Sequence, residues 1–272
     1  MLSLSKHRSS IANEHCCGLH YEFHGPKDAP TLILSSGLGG SGAYWQPNLA
    51  ALSANHRVLT YDQRGTGRSD RALPETTSIE DMAAEVIALM DTLCIARAHF
   101  IGHALGGMIG IETALASGRI DKLVVINGWR TLSPHTRRCF EARLALLRHA
   151  GNEPFLRAQP LFLYPPDWIA ANDALLEAEL AHHIAGFPGA ETMEKRIAAV
   201  AAYAPAAERL ARLGETLVIA TRDDFLVPCA ASLDLAGPIP GADVATFGWG
   251  GHACNVTDPA GFNRLVVKFL ES

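Results

Sequence analysis

The residues with the clearest chemical meaning lie at positions 102–106, where the chain reads GHALG. This segment has the frame of the nucleophile elbow, G-x-S-x-G, a sharp strand-to-helix turn that lifts one side chain above a sheet. Ala104 stands at its centre, where the motif has a serine. Because a methyl group cannot attack a carbonyl carbon, any chemistry at this turn depends on other groups.

An acid and a histidine follow this segment in the chain. Asp224 lies just past an apolar run, and the spacing D-x-x-x-P to Pro228 favours it over Asp223 as the acid of a catalytic triad. His252 lies further on, in the segment GGH. A carboxylate beside an imidazole fixes the tautomer of the ring and stabilises its protonated form, a role that needs no serine. We therefore predict that His252 and Asp224 are catalytic.

Two backbone N–H groups are candidates for an oxyanion hole. Leu105 directly follows the elbow residue, and Leu38 lies in the glycine-rich loop SGLGGSG at residues 36–42. Enzymes with this elbow build the hole from these two places, and such donors stabilise the negative charge that develops in a transition state. Neither donor is altered by alanine at position 104.

Three further residues need interpretation, two of them with two alternatives each. His103 could be a general base, although a histidine beside such a turn is more often a hydrogen-bonded structural residue. Cys254 could be a displaced nucleophile, although small buried cysteines are common. Asp62 follows another apolar run, and we interpret it as structural support for the glycine-rich loop.

Arginines in the middle of the chain are candidates for holding an anion. Arg137 and Arg138 could bind a substrate carboxylate, with which guanidinium groups pair well, and Arg130 is a weaker candidate. The alternative for Arg137 and Arg138 is a solvated helix face.

Alternation over residues 19–24 and short apolar runs elsewhere predict the strands that position these residues. The predicted strands are Leu19–His24, Thr31–Ser35, Arg57–Tyr61, Ala98–Ile101, Leu123–Asn127, Thr216–Thr221 and Val244–Phe247. A helix is predicted to begin after Ser78, with Asp81 completing a capping box. Strands that alternate with helices indicate an α/β fold, in which a mostly parallel, doubly wound sheet has helices on both faces.

The pattern changes in the middle of the chain, where helical segments such as His135–Ala150 and Asp173–Ile184 dominate. We therefore predict a core of residues 1–128 and 212–272, interrupted by an inserted helical cap of residues 129–211.

Composition excludes several classes of protein. A net charge of -5 over 272 residues argues against a nucleic-acid partner. No apolar run approaches the ~18 residues of a membrane span, and residues 1–13 lack the apolar core of a signal peptide. The six cysteines form no C-x-x-C pair and no zinc spacing, which favours reduced thiols in a cytoplasmic protein without a metal. No motif in the chain calls for a cofactor, and a homodimer is possible.

Several segments together resemble a known family. They are SGLGGS (36–41), YDQRGTG (61–67), GHALG (102–106), NGW (127–129), HTRRCF (135–140), QPLFLYP (159–165) and GGHACNVTDP (250–259). The core is similar to α/β-hydrolases of the enol-lactonase and esterase kind. The cap segments, which ordinary esterases lack, narrow the resemblance to the RutD family of the Rut pathway of uracil catabolism. The resemblance covers nearly the whole chain and implies an α/β-hydrolase fold and a natural alanine at the elbow.

The resemblance also implies a small anionic substrate of pyrimidine breakdown. Two have been attached to the family: carbamate, hydrolysed to bicarbonate and ammonia, and 3-aminoacrylate, hydrolysed to malonic semialdehyde and ammonia. Both already decompose in water, so the catalytic demand is modest. In this hypothesis His252, oriented by Asp224, activates a water molecule or carries a proton.

Three other functions stay open at this stage. An ordinary serine esterase or enol-lactonase carrying a Ser-to-Ala change would gain esterase activity from Ala104→Ser. A non-catalytic pocket protein or sensor would be stabilised by a ligand without turning it over. A cofactor-free lyase or oxygenase built on His252 and Asp224 would consume oxygen with an aromatic enol.

Overall fold

The computed structural model of the chain describes residues 14–272, and the predicted features of residues 1–13 lie outside this range. Its centre is an eight-stranded sheet in the order β1-β2-β4-β3-β5-β6-β7-β8. The strands are β1 (Glu14–Cys16), β2 (Leu19–His24), β3 (Thr31–Ser35), β4 (Arg57–Tyr61), β5 (Ala98–His103), β6 (Ile120–Ile126), β7 (Glu215–Thr221) and β8 (Asp243–Phe247). The β1–β2 and β2–β4 pairs are antiparallel and the other five are parallel, so the predicted mostly parallel sheet is confirmed.

Helices cover both faces of this sheet. They are α1 (Gln46–Leu52), α2 (Ile79–Thr92), α3 (Leu105–Ser117), α4 (Pro134–Ala150), α5 (Asn152–Arg157), α6 (Gln159–Leu163), α7 (Pro166–Gly186), α8 (Ala190–Ala202), α9 (Ala207–Leu210), α10 (Cys229–Ala236), α11 (Cys254–Thr257) and α12 (Pro259–Leu270). Because successive strand residues point to opposite faces, Ile33 of β3 joins the core on the α2–α3 side. Leu32 and Leu34 join the core on the α1–α12 side.

The sequence patterns locate most of these elements well. The predicted bounds of β2, β3 and β4 agree with the structure, and the other predicted strands differ by up to three residues at an end. The capping box of α2 is present, since the Ser78 hydroxyl accepts from the Asp81 N–H and the Asp81 carboxylate accepts from the Ser78 N–H. The short edge strand β1 was not predicted, because three residues carry too little alternation to stand out.

Between β6 and β7, residues 127–214 are fully described and form the helices α4 to α9 without a strand. The predicted helix Asp173–Ile184 is the second part of α7, which is interrupted by non-helical backbone at Asn172. The predicted cap limits, residues 129 and 211, fall in the connections to β6 and β7. The division into core and cap stays a prediction.

The parallel strands β3, β5, β7 and β8 end at one edge of the sheet. Ligands of open α/β sheets bind outside the carboxyl ends of such strands. The glycine-rich loop, the elbow, Asp224 and His252 all follow these strand ends, and this common edge brings them together.

Within residues 14–272, no helix has the length and apolarity that crossing a membrane requires. The same part of the chain holds no group of three His, Cys, Asp or Glu side chains arranged to bind a metal ion. The expected lack of a metal or cofactor stays a prediction.

Candidate active site

The turn at Ala104 has the strained backbone of a nucleophile elbow. Ala104 has φ 49° and ψ −111° between β5 and α3, a conformation that costs a non-glycine residue about 1–3 kcal/mol. Its N–H donates to the Ile126 carbonyl at 2.8 Å. A Cβ on Gly102 would lie 2.2 Å from the Gly106 oxygen, and one on Gly106 would lie 2.2 Å from the Ser35 oxygen. The two glycines are therefore required by close backbone approach, whatever residue stands between them.

His252 and Asp224 are in direct contact beside this turn. The imidazole Nδ1 and the carboxylate Oδ2 are 2.7 Å apart, and both side chains are buried. Asp224 Oδ1 accepts from the N–H groups of Leu226 and Val227, each at 2.8 Å. Because a carboxylate only accepts, Nδ1 carries the hydrogen and Nε2 is left with its lone pair. Nε2 makes no hydrogen bond with any residue in 14–272, which is the arrangement of a general base awaiting a proton donor.

Two further side chains hold the loop that carries His252. The carboxylate of Asp223 accepts from the N–H groups of Gly250 and Gly251 at 3.2 and 3.0 Å. Asn127 Nδ2 donates to the His252 carbonyl at 2.8 Å. The D-x-x-x-P spacing favoured Asp224 over Asp223 as the acid. Asp223 instead positions the backbone before His252. The contact between Asn127 and His252 was not predicted from the sequence. Asn127 has a positive φ, as Ala104 does, and this is visible only in the structure.

His103 braces His252 from the other side. Its Nε2 lies 2.8 Å from the His252 carbonyl and must donate, because a carbonyl only accepts. Burial, and secondarily the neighbouring His252 imidazole, hold the pKa of His103 well below its ordinary value. His103 is therefore neutral, with its N–H already committed, which favours the structural interpretation over that of a base.

The two proposed oxyanion donors lie in suitable local structure. Leu105 is the first residue of α3, so its N–H has no acceptor within the helix. In the glycine-rich loop, the Gly40 N–H donates to the Gly37 carbonyl at 3.1 Å. This bond fixes the peptide plane that also carries the Leu38 N–H.

A buried arginine of α8 holds the glycine-rich loop in place. Arg196 is fully buried, and it donates through Nε to the Leu38 carbonyl at 3.1 Å and through Nη2 to the Gln63 side chain. Gln63 in turn donates to the Ser36 carbonyl at 2.7 Å. Burial lowers the pKa of Arg196 to about 10, so it is protonated at neutral pH. Neither Arg196 nor Gln63 was singled out by the sequence analysis, because only tertiary structure brings α8 to this loop.

We expect Arg196→Met to lower the free energy of unfolding by about 2–4 kcal/mol, because buried acceptors left without donors each cost about 1–3 kcal/mol. Urea denaturation followed by circular dichroism measures this change. Lys195→Met is the matched control on the same helix, since it removes only a pair with the exposed Glu191 and should change stability little. Equal stability of the two variants would contradict the role given to Arg196.

Cys254 and Asp62, the other two residues considered from the sequence, have structural surroundings. Burial raises the pKa of the Cys254 thiol to about 12, so it is not a thiolate at neutral pH. Asp62 accepts from the N–H groups of Gly42 and Arg68 at 2.8 and 2.9 Å, which ties it to the end of the glycine-rich loop.

The arginines proposed to hold the substrate lie at or near the surface. Arg137 and Arg138 are exposed on the outer face of α4, and Arg130 pairs with Asp234 near the surface. Their exposure favours the alternative interpretation, a solvated helix face. The role of Arg137 and Arg138 as substrate ligands stays a prediction. Another arginine of α4, Arg143, is buried on its inner face.

Comparison with known proteins identifies the family. Residues 30–163 match the model of the alpha/beta hydrolase fold. A protein of Caulobacter vibrioides with the curated name "Putative carbamate hydrolase RutD" is 49% identical over 257 residues, which cover 93% of this chain and 96% of that protein. This chain belongs to the RutD family.

Solved structures agree with the fold of this RutD-family chain. The enol-lactonase from Burkholderia xenovorans has a TM-score of 0.82 and 28% identity, covering 93% of this chain and 96% of that one. A meta-cleavage product hydrolase from Pseudomonas fluorescens, a serine-to-alanine mutant complexed with acetates, has a TM-score of 0.79 and 30% identity, covering 93% and 95%. The α/β-hydrolase fold predicted from the sequence is confirmed.

Proposed function

We propose that this protein hydrolyses carbamate, a small anion, with release of ammonia and without a serine nucleophile. The observation that carries the proposal is the free Nε2 of His252, oriented by Asp224 beside an elbow whose central residue is Ala104. The name of the Caulobacter vibrioides relative supports carbamate as the substrate. The serine-to-alanine hydrolase from Pseudomonas fluorescens, which has this fold, was solved complexed with acetates, and acetate is a small carboxylate.

In the proposed reaction, a water molecule attacks the carbon of carbamate while His252 Nε2 takes one of its protons. The electron pair of the C=O bond moves to oxygen, where the N–H groups of Leu38 and Leu105 stabilise the added negative charge. His252 then returns the proton to the nitrogen, the C–N bond breaks and ammonia leaves. The products are bicarbonate and ammonia, and Asp224 stays ionised throughout.

Such a site can supply the rate acceleration that this reaction needs. General acid–base catalysis contributes about 10²–10⁴-fold. A serine protease that has lost triad members retains about 10³–10⁴-fold acceleration over water through its oxyanion hole and binding. Since carbamate also decomposes unaided, a site with these two components suffices without covalent catalysis.

The test is the rate of ammonia release from fresh carbamate, with and without the protein. We expect His252→Ala to slow the protein-dependent rate by at least about tenfold, because it removes the base. His182→Ala, an exposed histidine of α7, is the control and should keep the wild-type rate. An unchanged rate in His252→Ala contradicts the mechanism. Stabilisation by ligands with no rate above that of buffer favours a binding protein instead.

The same assay with freshly generated 3-aminoacrylate separates the two substrates attached to the family. The dyad and oxyanion donors suit hydrolysis of either anion, and the larger ratio of catalysed to spontaneous rate identifies the preferred one.

A further inference from the structure

The buried face of α4 contains one charged residue, Arg143, among uncharged residues. Its buried residues are Thr136, Cys139, Phe140, Arg143 and Leu147. Their spacing of three, four and seven residues forms a single stripe along the helix. Arg143 is the charged member of this stripe, whereas Arg137 and Arg138 lie on the exposed face.

The Arg143 guanidinium has no negative partner in the described part of the chain. It lies among the rings of Phe140, Phe155 and Phe162, with Cζ 5.7, 5.5 and 5.6 Å from their centroids. Nη2 donates to Gln159 Oε1 at 2.7 Å, while Nε is buried and without a hydrogen-bond partner in residues 14–272. Burial lowers the pKa of Arg143 to about 10, so it keeps its charge at neutral pH.

Such an arrangement is costly unless a ligand completes it. A buried charge is expensive when no opposite charge accompanies it, and attraction to the aromatic rings offsets only part of that cost. The planar guanidinium fork matches a carboxylate, to which it can donate two parallel hydrogen bonds.

Helix α6 connects Arg143 to the loop of His252. Gln159, at the start of α6, contacts Arg143, and Leu163, at its end, accepts from the Ala253 N–H at 3.1 Å. Four residues of helix rise by about 6 Å. The arginine contact therefore lies about one helical turn from the residue that follows His252.

A second path leads from Arg143 to the acid. The Phe162 ring, which contacts the guanidinium, lies 6.1 Å from the Phe225 ring, and Phe225 directly follows Asp224. Cys139, one turn before Arg143, is close enough for both charges to act on its thiol: Arg143 lowers its pKa and Asp224 raises it, beneath a larger rise from burial. Both paths place the unpaired cation on the dyad side of α4.

We propose that Arg143 is the anion-binding residue of this site and holds the carboxylate or carbamate group of a small monoanionic substrate. The identity of that substrate rests on the proposed function, whereas anion binding itself does not require turnover. Gln159 positions the guanidinium, and the surrounding phenylalanines exclude water and so strengthen the pairing. The site would then select small anions over neutral amides of the same shape.

Isothermal titration with sodium propionate and with propionamide, at matched ionic strength, tests the proposal without any reaction. We expect the wild type to bind propionate more tightly than propionamide. Arg143→Met should weaken propionate binding by at least about tenfold, equivalent to about 1.4 kcal/mol, and leave propionamide binding unchanged. Arg138→Met is the matched control on the same helix, and we expect propionate affinity within about twofold of wild type, as for most surface substitutions.

Propionate binding that survives Arg143→Met, or a wild type that does not distinguish propionate from propionamide, would overturn the proposal. If Arg143→Met does not fold, the ¹⁵Nε resonance of Arg143 in the wild type decides, because it must shift on addition of propionate and not of propionamide. His252→Ala should retain propionate binding. Propionate binding by a wild-type protein that does not hydrolyse carbamate would uphold the anion site and reject the proposed reaction. Carbamate hydrolysis by a wild-type protein that does not bind propionate would reject only the anion site.

Discussion

Asp224→Asn is expected to remove most of the protein-dependent hydrolysis of carbamate while leaving the protein folded. The asparagine oxygen can still accept from the Leu226 and Val227 N–H groups, as Oδ1 does now. Its amide would instead donate to His252 Nδ1, forcing the ring hydrogen onto Nε2, where it blocks proton abstraction from water. The same change in a serine protease lowers kcat by about 10⁴. Carbamate hydrolysis is less demanding than peptide hydrolysis, so we expect a smaller loss of rate, of at least about tenfold. A general base contributes about 10²–10⁴-fold in rate, so this loss is the least that disabling it should cause.

The measurement is the initial rate of ammonia release, accompanied by thermal denaturation to show that the fold is intact. Asp243→Asn is the control, since that carboxylate is exposed at the start of β8 and lies in none of the contacts of the site. Wild-type activity in a folded Asp224→Asn would show that the tautomer of His252 is irrelevant. The base would then have to be sought elsewhere.

Ala104→Ser is expected to create an esterase. The elbow backbone, the Leu105 N–H at the start of α3 and the unengaged Nε2 of His252 are all in place for a hydroxyl at position 104. We expect hydrolysis of p-nitrophenyl acetate to rise by at least about 100-fold. This is far less than the ~10⁶-fold that separates an intact from a broken triad in subtilisin, because restoring the hydroxyl supplies the nucleophile but adds no contact with the ester. Labelling by a fluorophosphonate probe measures the nucleophile directly.

The double variant Ala104→Ser with His252→Gln provides the control for this gain. It should lose both the labelling and the ester hydrolysis, because a serine without its base is a poor nucleophile. A folded Ala104→Ser variant that stays unreactive would show that the hydroxyl does not reach Nε2. The elbow would then have diverged from the geometry of a serine hydrolase, and the interpretation of this chain as an esterase altered at one residue would fail.

Local patterns predicted much of this molecule. Alternation over six residues identifies β2, and short apolar runs of five residues identify β3 and β4, to the residue, because strands in a sheet leave short, bounded signals. The order of the elbow, Asp224 and His252 predicted the contact between acid and imidazole that the structure contains, at 2.7 Å. These predictions succeed because each residue follows a strand end, and parallel strands carry such residues to one edge of the sheet.

The sequence did not identify which arginine of α4 could bind an anion. Arg137, Arg138 and Arg143 all lie on α4, and residue type alone gives no reason to prefer one of them. The helical period separates them: Arg143 falls on the stripe with Cys139 and Phe140, and that stripe could have been recognised. Which face of α4 turns toward the dyad, however, depends on packing against α6 and the loop after β7.

The sequence by itself determined the class of fold, the residue at the elbow and the identities of the acid and the histidine, because these depend on local pattern and chain order. Only the tertiary structure decided that Arg196 reaches across from α8 to the Leu38 carbonyl, and that Arg143 is buried without a counter-charge among the residues described. Both arginines lie in the segment between β6 and β7. Arg196 is far in sequence from Leu38, and the groups around Arg143 belong partly to the separate helices α5 and α6. The packing of helices against one another and against the sheet, which the periodicity of a single helix does not encode, sets the surroundings of both arginines.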